Sequence, residues 1–306
     1  MTNVFIDGSA GTTGLRIHER LASRTDITVF TLPDELRKDE GARREALNAA
    51  DIAFLCLPDA AAREAVAMID NDRTAVIDTS TAHRTAPGWV YGFPEISARR
   101  AAIAASKRIG NPGCHASGFV ALVAPLVEKG LLSKDVSLSA FSLTGYSGGG
   151  KKMIAEYEGQ ERDALLDAPR QYGLTQQHKH LKEMVALCHL ETAPAFCPIV
   201  SDFYSGMEVT VPVFKKDLKG TVDDIKAVYK QCYEKGLVRY TEDSEEGFLS
   251  AGALSGKDSM QVSVHGNEER ILLVARYDNL GKGASGAAIQ NMNILLGADE
   301  AAGLEI

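Results

Sequence analysis

At 306 residues the chain exceeds the usual size of one domain and predicts two, each able to bury a core of its own. Hydrophobic residues at 45% and charged residues at 24%, with no low-complexity tract, exclude a disordered or fibrous chain. A net charge of -8, with no Lys/Arg cluster longer than a pair, argues against a nucleic-acid or anionic-membrane surface, so an anionic ligand needs a local site.

The chain opens on Val4-Phe5-Ile6, a short apolar run that reads as a strand rather than a signal peptide. No apolar run approaches the roughly 18 residues of a membrane span, so a cytoplasmic protein without a membrane partner is expected. Gly8-Ser9-Ala10-Gly11-Thr12-Thr13-Gly14 follows, and a helical stretch over residues 12–23 carries Leu15 and Leu21 among its apolar positions. Glycines between a first strand and a first helix let the backbone approach a pyrophosphate, whose charge the helix N-terminus favours. The spacing is G-x-x-G-x-x-G rather than the usual G-x-G-x-x-G, and a plain βα turn is the alternative reading.

Apolar runs recur at residues 27–32, 52–57 and 75–77, with helical patterns at about 41–50 and 59–70 between them. Strands alternating with helices imply a parallel sheet. An NAD-preferring site usually places an acid near the end of the second strand. Here that strand runs Val29-Phe30-Thr31-Leu32-Pro33, with Asp34-Glu35 only beyond the proline and the basic pair Arg37-Lys38 close behind. The pair suits a 2′-phosphate, which favours NADP over NAD, held by Gly8, Ser9, Gly11, Thr12, Thr13, Gly14 and Arg37; solvated surface charge is the competing reading of the pair.

Asn111-Pro112-Gly113-Cys114-His115-Ala116-Ser117 precedes a strongly apolar helix at residues 118–127. Pro-Gly forms the turn and puts Cys114 at or near the helix start, where unpaired N–H groups and the helix dipole depress a thiol pKa and make a nucleophile by placement. The five cysteines are odd in number and widely spaced without a C-x-x-C pair, so neither a disulfide framework nor a thiolate zinc site is expected; those other than Cys114 lie in apolar stretches, as inert packing residues do.

Beyond about Ser133 the strands lengthen, at residues 136–146, 207–214, 260–265 and 271–277, which predicts a mixed or antiparallel sheet and a second domain. Helices are expected at residues 223–235 and 284–296. His178-Lys179-His180 opens another helical stretch, with Glu183 three residues beyond. Histidines at i and i+2 of a helix face different directions, so one of them is expected to point into a given site. General acid/base work suits imidazole near neutral pH; a surface pair and an H-x-H zinc site are the alternatives, the latter without supporting ligands nearby.

Taken together these residues resemble the N-acetyl-gamma-glutamyl-phosphate reductases of arginine biosynthesis, in their shorter form, within the semialdehyde dehydrogenase superfamily. The resemblance spans nearly the whole chain. Besides the glycine loop and Asn111-Pro112-Gly113-Cys114, its carriers are Asp78-Thr79-Ser80-Thr81-Ala82-His83-Arg84, Tyr91-Gly92-Phe93-Pro94-Glu95, Thr144-Gly145-Tyr146-Ser147-Gly148-Gly149-Gly150, His178-Lys179-His180-Leu181 and Asp278-Asn279-Leu280-Gly281-Lys282-Gly283-Ala284.

The resemblance implies an α/β fold: a Rossmann-like dinucleotide-binding domain over residues 1–113 and 279–306, and an α+β substrate and oligomerisation domain with a mixed sheet over 114–278. It implies Cys114 as nucleophile, His180 as acid/base, Arg84 as phosphate ligand, Asn111 and His178 as substrate contacts, and Asn279, Lys282 and Gly283 as further cofactor contacts, with no metal. The implied reaction is NADPH-dependent reduction of an acyl phosphate to an aldehyde through a cysteine thioester, in a homo-oligomer, dimer or tetramer. Two departures stand out: His115-Ala116-Ser117 replaces the Tyr-Pro-Thr common in the longer form, and Lys182 replaces a usual proline. Aspartate-semialdehyde dehydrogenase shares the loop and the cysteine but not the His-Lys-His run. A cysteine hydrolase would not need the glycine loop, and a silent NADP sensor could retain the loop without needing both Cys114 and His180.

Overall fold

The computed structural model describes all 306 residues and divides into two compact units, Met1–Pro94 with Ala98–Pro112 and Ala284–Leu304, and Glu95–Ser97 with Gly113–Gly283 and Glu305–Ile306. The sequence therefore changes unit at Pro112/Gly113 and again at Gly283/Ala284, so residues 279–283, grouped with the dinucleotide domain from the sequence, lie in the second unit.

The first unit runs β1 (Thr2–Asp7), α1 (Thr12–Leu21), β2 (Ile27–Phe30), α2 (Glu40–Ala49), β3 (Ile52–Leu55), α3 (Asp59–Met68), β4 (Ala75–Asp78), β5 (Val90–Tyr91), α4 (Arg99–Ala105) and β6 (Arg108–Gly110). The second runs α5 (Cys114–Glu128), β7 (Ser139–Gly145), α6 (Gly150–Glu158), β8 (Arg170–Gln171), α7 (Leu181–Cys188), β9 (Ala195–Ser201), β10 (Met207–Phe214), α8 (Val222–Cys232), β11 (Val238–Tyr240), β12 (Met260–Gly266) and β13 (Arg270–Tyr277). The chain then returns to the first unit through α9 (Gly286–Leu296).

The first sheet is parallel throughout, in the order β2-β1-β3-β4-β6-β5. Its strands are apolar runs rather than alternations because helices cover both faces. Val4, Ile6, Phe54, Ile77 and Ile109 meet α1, α4 and α9 through Ile17, Leu21, Ile103, Ile289 and Met292. Phe5, Ala53, Leu55 and Val76 point the other way, onto Ala46 and Leu47 of α2 and Ala62, Ala65 and Met68 of α3. This doubly wound unit reverses its strand order between β1 and β3, which makes the carboxyl ends of those two strands the expected crevice for a ligand.

The second unit's sheet is mixed, β11-β12-β13-β10-β7-β9-β8, with parallel pairing only at β11/β12 and β7/β9. In β10 residues alternate buried and half-buried, so one face packs on a core and the other is open. The covering helix is α5, with 13 of its 15 residues buried, lying on β10 and β13 between α7 and α8. Pro125 inside α5 has no N–H to give Ala121, four residues back. The buried Tyr233 hydroxyl donates to that Ala121 carbonyl, and the Tyr229 hydroxyl donates to Leu122 O at 2.6 Å.

Several details depart from expectation. The strand expected over 136–146 is confined to Ser139–Gly145, the helix after the Pro-Gly turn begins at Cys114 rather than Gly118, and α9 is entered through a π-turn at Gly281–Ser285. β9, which contains Pro198, and the short elements β5, β6, α4, α6, β8 and β11 were not foreseen. No helix is long and apolar enough to cross a membrane.

Candidate active site

In the first unit the glycine loop joins β1 to α1, and two of its glycines are sterically required. A Cβ on Gly8 (φ +86°) would lie 2.3 Å from Cys56 O, and one on Gly14 would lie 2.6 Å from Gly8 O. Gly11 caps α1 with extended backbone and no side-chain bond, so the first N–H groups of the helix, in Thr12, Thr13 and Gly14, stay available to an anion. A cavity of about 250 Å³ is lined by Asp7, Gly8, Ser9, Gly11, Arg37 and Lys38 among others. A neighbouring one of about 190 Å³ is lined by Gly11, Thr12, Thr13, Gly14 and Thr79 with Cys56 and Leu57. Both lie at the strand-order reversal.

The charges around the larger cavity favour an anion. Asp7, its acidic lining residue, is engaged by Arg43 through Nε and Nη2 at 3.1 and 2.9 Å, and burial raises the Asp7 carboxyl above its ordinary range even with that partner. Arg37 and Lys38 remain. The 3.4 Å pair of Arg37 with Asp34 is between exposed side chains, and such pairs are worth ~1 kcal/mol or less. Cys56 is no nucleophile, since burial pushes its thiol up to about 12. A glycine cradle, an uncapped helix start and a basic pair fit a dinucleotide.

Arg84 and Asn111 follow the carboxyl ends of β4 and β6 in the same unit. Asp78 organises the turn before Arg84: it accepts from Ser80 N and Oγ at 2.9 and 2.8 Å, and His83 Nδ1 lies 2.6 Å from its Oδ2. His83 stacks on Trp89 at 4.1 Å, and Arg84 Nη2 donates to Thr79 O. Gly110 has no Cβ because one would sit 2.9 Å from Arg84 Cα. Asn111 is buried, with Nδ2 donating to Ala284 O at 2.9 Å and Oδ1 accepting from Asn291.

In the second unit Cys114 is the first residue of α5. Gly113 caps the helix without a side chain, and its own N–H donates to Glu183 Oε2 at 2.9 Å. The Tyr277 hydroxyl bridges the first turn, accepting from Gly118 N at 3.1 Å and donating to Cys114 O at 2.6 Å. A Cβ on Gly118 would lie 2.7 Å from that hydroxyl, and one on Gly283 would lie 3.1 Å from Cys114 Cβ. The uncapped helix start favours negative charge at Cys114.

His178 and His180 stand before α7 rather than within it, with His180 at the N-cap, so the helical argument that they diverge does not apply. His180 N donates to His178 Nδ1 at 3.2 Å, and the rings lie 4.7 Å apart. The ring of His115 lies 5.6 Å from each. One cluster thus holds His178, His180 and the residue after Cys114. Asn279 and Lys282 have other work: Asn279 accepts from Gly206 N and donates to Ser147 Oγ, and Lys282, fully buried, bonds both carboxylate oxygens of Glu95 at 2.8 and 2.9 Å. Their side chains therefore shape the 278–283 segment rather than reach toward a cofactor. His115, Tyr172 and Tyr277 escaped the sequence analysis as site residues, and Glu183 was noted only for its spacing from His180.

A doubly wound unit with a glycine-loop cavity, and a mixed-sheet unit that opens on a helix-capping turn and a cysteine, define a two-unit α/β protein of the dinucleotide-dependent kind. The chain belongs to the semialdehyde dehydrogenase family: residues 4–105 match the semialdehyde dehydrogenase NAD binding domain, and residues 114–279 its dimerisation domain. Full-length relatives include N-acetyl-gamma-glutamyl-phosphate reductase 2 of Pseudomonas putida, 44% identical over 98% of both chains. The enzyme of that name from Nostoc is 43% identical, also over 98% of both. Aspartate semialdehyde dehydrogenase II of Vibrio cholerae shares the fold, with a TM-score of 0.74 over 97% of this chain and 98% of that one at 17% identity.

Proposed function

We propose that the protein is a cytoplasmic, NADPH-dependent N-acetyl-gamma-glutamyl-phosphate reductase of arginine biosynthesis, forming N-acetylglutamate 5-semialdehyde and phosphate through a thioester on Cys114. The observation that carries the chemistry is Cys114 at an uncapped helix start, followed by a residue clustered with His178 and His180. The names of the full-length relatives support the substrate.

His180 takes the Cys114 proton, and the thiolate attacks the acyl carbon while Arg84 neutralises the departing phosphate. His178 contacts the substrate, whereas Asn111, expected from the resemblance to do so as well, is buried with its amide held by Ala284 and Asn291 and shapes the end of β6 instead. A nicotinamide dinucleotide held at the glycine loop from Gly8 to Gly14 would supply the hydride that reduces the thioester carbonyl. N–H groups of the first turn of α5 and protonated His180 stabilise the resulting oxyanion on Cys114, and its collapse expels the aldehyde and restores the thiolate. The residues that hold the dinucleotide are Gly8, Ser9, Gly11, Thr12, Thr13 and Gly14, with Arg37 and Lys38 on the 2′-phosphate. Gly283 keeps the backbone close to Cys114. The family match to a dimerisation domain supports a homo-oligomer built on the second unit.

The test runs the reaction in reverse, following nicotinamide reduction with N-acetylglutamate 5-semialdehyde and phosphate. NADP is compared with NAD, aspartate semialdehyde is assayed in parallel, and Cys114→Ala is the control. Phosphate-dependent NADPH formation from the acetylated aldehyde, lost in the variant, is expected. Activity with aspartate semialdehyde alone would move the assignment to that dehydrogenase, and no reduction with either aldehyde would refute it.

A further inference from the structure

His115, which stands after the nucleophile where the longer form commonly has Tyr, is an imidazole that the mechanism above does not use. His115 is 3% exposed and sits on α5 beneath His178, His180 and the edge of Phe196. Its Nδ1 lies 2.7 Å from Ser142 Oγ on β7, and its Nε2 lies 2.6 Å from the Tyr172 hydroxyl, just beyond β8. Both ring nitrogens are thus engaged, by hydroxyls that can each donate or accept.

Burial fixes the direction of this chain. Ser142 is fully buried, and the partner of its hydroxyl is His115 Nδ1. Were Nδ1 itself protonated, the Ser142 proton would be left buried without an acceptor, the costly alternative. Ser142 therefore donates to Nδ1, Nε2 carries the ring proton and donates to the Tyr172 oxygen, and the Tyr172 proton is left over. Burial, followed by the nearby positive charges of His178 and Lys179, lowers the His115 pKa to about 3, so the ring stays neutral. Burial, and then negative charge on Cys114, raises the Tyr172 phenol, so it stays a donor while the thiolate is present.

We propose that Ser142, His115 and Tyr172 form a one-way hydrogen-bond relay that presents the Tyr172 hydroxyl proton to the acyl oxygen of a substrate held on Cys114. Tyr172 is then a catalytic residue that touches the reacting carbonyl, and His115 and Ser142 are positioning residues acting through it. The assignment rests on the thioester reading above and supplies the oxyanion with a side-chain donor beside the helix N–H groups.

Wild type, Tyr172→Phe, Ser142→Ala and the double variant are compared in the semialdehyde assay, and ¹⁵N spectra of the imidazoles are recorded on wild type and Ser142→Ala. Expected for Tyr172→Phe is a kcat lowered about 10- to 100-fold with KM within about twofold. Ser142→Ala removes the donor to Nδ1 and so frees His115 to carry its proton there and accept from Tyr172 at Nε2; it too should lower kcat, with little further loss in the double variant. The spectra should show wild-type His115 protonated on Nε2 and a shift toward Nδ1 in Ser142→Ala. Tyr172→Phe with kcat unchanged, a change confined to KM, or losses that simply add would overturn the relay. Wild-type His115 protonated on Nδ1 would overturn it too, even were the wild-type enzyme inactive toward both aldehydes, a result that would instead count against the thioester reading.

Discussion

His115 ties the candidate site to stability. Its ordinary pKa near 6.5 applies to the unfolded chain, and the folded chain holds it at about 3, so between these values the unfolded state binds more protons. A lowered histidine contributes stability that is complete above about pH 6.5 and is lost as pH falls toward 3. From this group alone, unfolding at pH 5.5 should cost about 1.4 kcal/mol less than at pH 7.5. Urea titrations at the two pH values check this, and His115→Phe should remove that part of the difference; an unchanged pH dependence in the variant would refute the assignment. Cys114 was legible from local sequence, because a Pro-Gly turn before an apolar helix needs no distant partner to place a thiol. Tyr172 and Ser142 were not, since their meeting with His115 brings together residues 57 and 27 positions away from it in the chain.

At the scale of elements, α5 bears a defect that the fold corrects. Pro125 removes the donor for Ala121 O, and Tyr233 of the turn after α8 restores one from 112 residues away. Tyr233→Phe leaves a buried carbonyl without that bond and should destabilise by about 1–3 kcal/mol. In a Pro125→Ala background the residue 125 N–H returns to Ala121, so the same substitution should cost about half as much or less. Thermal unfolding of the four species measures the coupling, and equal costs in both backgrounds would dismiss the repair. Strands β10 and β13 could be read from the sequence because alternation or a long apolar run marks them. β9 could not, because Pro198 argues against a strand and its pairing with β7 is long-range. The histidine pair departs from its expected helical placement for a related reason: both residues precede the first turn of α7, where helical periodicity does not hold.

At the scale of the molecule, the parallel unit was legible because alternating βα segments leave few topologies. The placing of α9 in its core came from the resemblance, not from periodicity. The mixed sheet's strand order was not legible, since its neighbours are far apart in sequence. Its open face has a consequence for assembly. Phe141, Phe214 and Leu272 are 43%, 52% and 39% exposed on β7, β10 and β13, and the register sets Phe141 opposite Thr210 and Leu272 opposite Pro212. Cys197 and Ile199 continue the surface on β9. Large side chains standing together on an exposed sheet face are typical of an association surface, and the segment matches a dimerisation domain. A second copy of the chain laid on this face would bury Phe141, so Phe141→Arg would place an unpaired cation there, and its desolvation should weaken association by about tenfold or more. Sedimentation across a concentration series should show a homo-oligomer for wild type and a shift toward monomer for Phe141→Arg, with circular dichroism unchanged. An oligomer undisturbed by that charge would move the interface off this face.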